Sequence, residues 1–164
     1  METNESSTFR RVANLRDNRE AAAAVAAAAK RELVLFTRDL DPLIYDEEPF
    51  IKSVQVLVTR SRMSRIRVVS IDPGPAIRNG HRLIELAQRF SSYIEIRRAS
   101  REHGDLPETF LVADDTALLY RPVATQYEGY VDLHAPAAAR QCLKTFAGVW
   151  EDAEPDPEFR RLGI

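Results

Sequence analysis

The sequence predicts an α/β fold, and three observations carry the prediction. Short, nearly continuous apolar runs alternate with segments patterned as helices. Turn residues rich in Pro, Gly and Asp separate them. Two β-rich runs then follow one another across a tight Asp114-Asp115 turn. Strands alternating with helices imply a mostly parallel sheet, to which the hairpin adds an antiparallel part.

Met1 to about Asn18 has few apolar residues and no clear period, so 1–18 reads as a disordered or extended tail. From Glu20 the alanine-rich run is a strong helix former, because alanine loses no side-chain entropy there. Asp17 or Asn18 is the expected cap. LVLFT (33–37) suits a strand buried on both faces. Pro49 opens the next helix, whose Phe50, Val54, Leu57 and Val58 make a core stripe. IRVVSI (66–71) is a second buried strand, stopped by Asp-Pro-Gly-Pro. A single helix is expected from there to about Phe90, followed by a strand at 93–99. The hairpin spans 109–114 and 116–122, with one more short strand near 127–132. A last helix runs from Pro136 to Glu151, with Ala139, Leu143, Phe146 and Trp150 on one stripe, and 153–164 is a tail. One domain over 19–152 fits the 164-residue length.

Composition sets bounds on function. A hydrophobic content of 45%, a charged content of 29% and a net charge of −2 are those of a globular chain without general attraction to nucleic acid. No run reaches the roughly 18 apolar residues of a membrane span, and the polar start lacks the pattern of a signal peptide, so the expected location is cytoplasmic. The single cysteine, Cys142, cannot form an internal disulfide and reads as a small buried hydrophobe. His81, His103 and His134 have no metal-ligand spacing, and the nucleotide-binding glycine motifs are absent. No metal or cofactor is expected. Asp39, Asp41 and Asp46 read as loop and helix caps rather than cation ligands.

Four stretches in order resemble a phospholipase-D-like domain, an α/β/α sandwich. They are AAAAKRELVLFTRDLD, PFIKSVQVLVTRSRMSRIRVVSID, RLIELAQRFSSYIEIRRA and ETFLVADDTALLYRP. The last is similar to that superfamily's signature hairpin, His-x-Lys-x-x-x-x-Asp followed by Gly-Ser. The whole also resembles a bacterial family of uncharacterised domains, some joined to acetyltransferase domains. In the signature frame Asp114 takes the Asp position, but Pro107 stands for His, Thr109 for Lys, and Arg121 and Pro122 for Gly and Ser. The resemblance implies a histidine nucleophile and a phosphate-holding lysine, and neither is present. Covalent phosphohistidine chemistry needs that imidazole, so no catalytic residue is expected.

Ligands of open α/β sheets sit beyond the carboxyl ends of strands. Arg38, Asp39, Asp72, His81, Arg82 and Arg121 are therefore the candidate binding residues. The favoured expectation is a non-catalytic binding or assembly module for an anionic, phosphate-containing ligand. The resemblance further implies a homodimer across the signature face. One alternative is nucleic-acid binding through Arg60, Arg62, Arg65 and Arg67, with Arg97, Arg98 and Arg101 as a second cluster. The other is a hydrolase or transferase with a repurposed site built on Asp39, Asp72 and His81.

Overall fold

A computed structural model describes residues 8–159. Its first strand, β1 (Arg10–Val12), and the start of α1 (Leu15–Ala28) lie inside the segment expected to be tail. The part of that expectation on residues 1–7 lies outside the described residues. Asn14 rather than Asp17 or Asn18 caps α1, accepting from the Asp17 amide at 2.8 Å. Asn18 is instead fully buried, donating to the Asn14 and Tyr127 carbonyls.

Then come β2 (Glu32–Thr37), the short α2 (Pro42–Tyr45), α3 (Glu48–Arg60) and β3 (Arg65–Ser70). The single helix expected after Asp72 is two, α4 (Gly74–Asn79) and α5 (Arg82–Arg89). Gly80, at φ +84°, breaks them apart in a backbone region that side-chain-bearing residues avoid. β4 (Ile94–Arg98), the hairpin β5 (Thr109–Ala113) and β6 (Ala117–Arg121), and β7 (Gly129–Asp132) follow. The chain continues through α6 (Pro136–Asp152) into β8 (Glu154–Pro155).

The strands form one sheet in the order β1-β7-β6-β5-β2-β3-β4-β8. Only β2–β3 and β3–β4 pair in parallel; the other neighbours are antiparallel. The sheet is thus mostly antiparallel, which corrects the expected mostly parallel one. The reason lies after β4. From there to β7 the strands are joined by turns and loops, not by crossover helices, and such short links join strands that reverse direction. β5 returns along the free side of β2, so Leu35 faces Leu111 across it.

Alternation along each strand feeds two cores. Leu33, Leu35, Ile66, Val68 and Leu111 pack with α1, α3 and α5 on one face. Val34, Phe36, Val69, Phe110 and Val112 pack under α6 on the other. The buried face of α1 is alanine (Ala21, Ala22, Ala26), which brings it close to the sheet and α3. The layering is the expected α/β/α sandwich. Cys142 is buried on the inner face of α6 as expected, and burial pushes its thiol up to about 12.

Candidate functional site

The carboxyl end of β2, the start of β5 and the end of β6 meet at one end of the sheet's central strands. Antiparallel pairing sets Thr109 directly opposite Arg121. These are the signature positions for Lys and for Gly. Thr109 is buried and donates its hydroxyl to the Phe36 carbonyl at 2.6 Å, so it serves the sheet and faces no ligand. Arg121 is also buried. Its Nη2 donates to Asp41 Oδ2 at 2.6 Å and, more weakly, to the Ala124 carbonyl at 3.4 Å. Its Nη1 is buried with no hydrogen-bond partner among the described residues.

Asp41 reaches Arg121 because the chain after β2 folds into a left-handed turn, with Leu40 at φ +67° and Asp41 at φ +33°. Asp39 Oδ1 fixes that turn by accepting from the Asp41 amide at 3.0 Å. Desolvation raises the Asp41 carboxyl above its ordinary value, and the Arg121 guanidinium only partly offsets it. Arg38 projects beside this pair. It is exposed, and its side chain has no partner among the described residues. Arg38, Asp39, Asp41, Arg121, Thr125 and Tyr127 line a cleft of about 310 Å³. A second depression of about 320 Å³ shares Arg38 and Thr125 with it and extends to Asp105 and Pro107.

The other candidates lie elsewhere. His81 is buried. Its Nδ1 accepts from the Leu83 amide at 3.1 Å, capping α5, and its Nε2 lies 3.0 Å from the Leu40 carbonyl. With Nδ1 accepting, Nε2 carries the proton and donates to that carbonyl, so the neutral ring supports the turn from beneath. Burial lowers its pKa. Asp72 turns back to accept from the Gly74 amide at 3.3 Å, while its own amide donates to the Arg38 carbonyl at 2.6 Å. Arg82 clamps the outer end of the same loop through Asp46 at 2.8 Å and Glu48 at 2.9 Å. Only Arg38, Asp39 and Arg121 of the candidate set share the cleft; Asp72, His81 and Arg82 do not enter it. Sequence reasoning read Asp41 as a cap and missed it as the partner of Arg121. The signal was its place before Pro42, where a turn is forced.

The arginine clusters are divided by their own contacts. Arg60 donates to the Ala29 carbonyl and so closes α1. Arg65 and Arg67 share a face as alternation requires, but Arg67 reaches Glu32 at 3.4 Å and lies over Phe146. Arg97 stacks 3.9 Å above Trp150 and pairs with Glu95, and Arg98 pairs with Asp156. Arg62, Arg65 and Arg101 are exposed and have no side-chain partner among the described residues.

The one signature residue retained, Asp114, sits at φ +58° in the hairpin turn. Its carboxylate accepts from the backbone amides of Lys30, Arg31 and Glu32, each at 3.0 Å. It anchors the entry to β2, away from the cleft.

Solved structures with this fold include several phospholipase D relatives. Nuc from Salmonella typhimurium, a phospholipase D family member, matches with a TM-score of 0.64 at 13% identity, over 92% of this chain and 99% of its own. NucT from Helicobacter pylori matches with a TM-score of 0.60 at 8% identity, over 90% and 99%. TrmBL2, an archaeal chromatin protein whose structure shows a mode of DNA binding, matches with a TM-score of 0.65 at 16% identity. That match covers 94% of this chain but 56% of TrmBL2. At these identities the likeness is one of fold. No curated protein matches the sequence. The fold is that of the phospholipase D family, and the chain belongs to the family described as a domain of unknown function, DUF7931, whose model matches residues 14–162.

Proposed function

We propose that this chain is a non-catalytic phospholipase-D-like module that binds an anionic, phosphate-containing ligand in the Arg38–Arg121 cleft. The observation that carries the reading is the buried Arg121–Asp41 pair, set against Thr109 where the signature would place its phosphate-holding Lys, with Pro107 at the position of the attacking His. A hydroxyl tied into the sheet and a guanidinium tied to a carboxylate leave no nucleophile there. Arg38 remains free at the mouth to meet an anion, and a guanidinium suits bidentate phosphate recognition. A homodimer across the same face and a cytoplasmic setting belong to this proposal. The repurposed-enzyme alternative loses its support, since Asp72 and His81 stay outside the cleft.

The test is calorimetric titration with inorganic phosphate and with a short phosphodiester, alongside turnover of bis(p-nitrophenyl) phosphate. Binding is expected in the wild type, at least tenfold weaker in Arg38→Ala, with no turnover in either. Equal binding by Arg38→Ala, or measurable hydrolysis, overturns the reading.

Binding of DNA is the second reading, favoured by the fold shared with a DNA-binding chromatin protein. Its residues here are Arg62, Arg65 and Arg101, because Arg60, Arg67, Arg97 and Arg98 have partners within the chain. An oligonucleotide whose affinity does not fall with salt removes it.

A further inference from the structure

A second constellation lies outside the cleft. The 3-10 turn Arg101–His103 follows β4, and the end of α6 comes to rest beside it. Glu102, His103 and Asp152 each turn one ligand atom into the same space, and all three atoms lie within 4.8 Å of one another. His103 Nε2 stands 3.9 Å from Asp152 Oδ2. That gap is too wide for a hydrogen bond. It is close to the roughly 3.4 Å between neighbouring nitrogen and oxygen ligands of a tetrahedral zinc bonded at about 2.0–2.2 Å.

The histidine is oriented for such a role. Its other nitrogen, Nδ1, lies 3.2 Å from Ser100 Oγ. When Nδ1 donates to that hydroxyl, Nε2 keeps its lone pair for a ligand bond on the side of Asp152. Metal-binding histidines are commonly fixed in this way through the second ring nitrogen.

We propose that Glu102, His103 and Asp152 form a divalent-cation site of the zinc class, with water completing the coordination. The sequence conceals it, because Asp152 comes from a different element 49 residues beyond His103. The proposal is independent of the ligand assigned to the cleft. It has a bearing on that cleft, however. Gly104 and Asp105 follow His103 directly and line the depression that Arg38 shares. An ion bridging the turn to α6 pins that wall.

The test is titration of the full chain with zinc ion in a non-chelating buffer, with cobalt(II) absorption as a second readout. One equivalent is expected to bind, with the visible bands of tetrahedral cobalt. His103→Ala, Asp152→Asn and Glu102→Gln are each expected to weaken binding tenfold or more, and Ser100→Ala about tenfold. All four side chains lie at or near the surface, so a melting curve checks that each variant folds. No saturable binding up to about 1 mM zinc overturns the proposal. So does zinc binding that His103→Ala leaves unchanged, since the ion is then elsewhere and His103–Asp152 is an ion pair alone.

Discussion

Asp114 is the one residue of the degenerate signature still in place, and its contacts assign it to stability. Substitution by alanine removes an ionised acceptor from three backbone amides at 3.0 Å. A hydrogen bond to a charged group contributes about 1.5–3 kcal/mol when sheltered. Lys30, Arg31 and Glu32 are exposed, so water partly replaces the lost acceptor. The expected cost is about 2–4 kcal/mol for the set, after that discount. For a domain of this size, with about 2–4 °C per kcal/mol, the melting temperature falls by about 5–15 °C. Asp114→Asn keeps the oxygen shared by Arg31 and Glu32 and loses the one facing Lys30, so about 1 kcal/mol is expected. Asp114→Gly falls between the two, because glycine relieves a φ of +58° by about 1 kcal/mol. Urea denaturation with a common m-value measures all three. The reasoning is refuted if Asp114→Ala unfolds within about 0.5 kcal/mol of wild type, the usual spread of surface substitutions. It is equally refuted if Asp114→Asn is the worse variant.

Other outcomes follow from the same geometry. His81 is held neutral with its pKa lowered below 6.5, so the unfolded chain binds the proton more readily in that window. Stability is therefore fully present above pH 6.5 and is lost as pH falls from there toward the depressed folded value. His81→Asn keeps the cap on Leu83 and is expected to flatten that dependence in urea titrations between pH 5 and 7.5; an unchanged slope contradicts it. Gly129→Ala puts a methyl 2.1 Å from the Tyr120 carbonyl oxygen and 2.9 Å from Arg121 Cγ. Overpacking against backbone costs about 1–3 kcal/mol or more, read as a lower urea midpoint, and weaker ligand binding in the cleft accompanies it. The Cys142 thiol, pushed up to about 12 by burial, is expected to resist iodoacetamide at pH 8 until the chain is unfolded. Trp150 lies under Arg97 at 3.9 Å, and Arg97→Met is expected to cost about 0.5–1 kcal/mol and to shift the fluorescence of this single tryptophan.

The central strands were legible because β2 and β5 are continuous apolar runs, and β3 carries Ile66, Val68 and Val69, so burial is decided locally. α3 and α6 were legible through their apolar stripes. The direction of the sheet was not, because whether β5 joins β2 or β4 depends on a pairing no local pattern encodes. β1 escaped notice because Arg10 and Arg11 show no alternation of burial. They are held by the ladder to Val131 and Tyr130 rather than by a core of their own. The break at Gly80 was carried by one glycine inside an otherwise helical stretch. In the candidate site, Arg38, Asp39 and Arg121 were read from strand ends, and topology brought them together. Asp72 also follows a strand end, and His81 follows the short helix after it, but backbone groups within a few ångströms claimed both. Spacing along the chain shows which residues share an edge, not which of them an amide will capture.

The sheet's two outermost strands bear on how copies of this protein meet. β1 offers three residues and β8 two, one of them Pro155, which has no amide proton to give. Arg10 and Arg11 line the other border with exposed charge. Edges so short, charged and proline-blocked are poor templates for another strand. Among the described residues, both borders therefore disfavour self-association by continuing the sheet from molecule to molecule. Pairing is favoured broadside instead, through helices, loops or the rim where Arg38 stands.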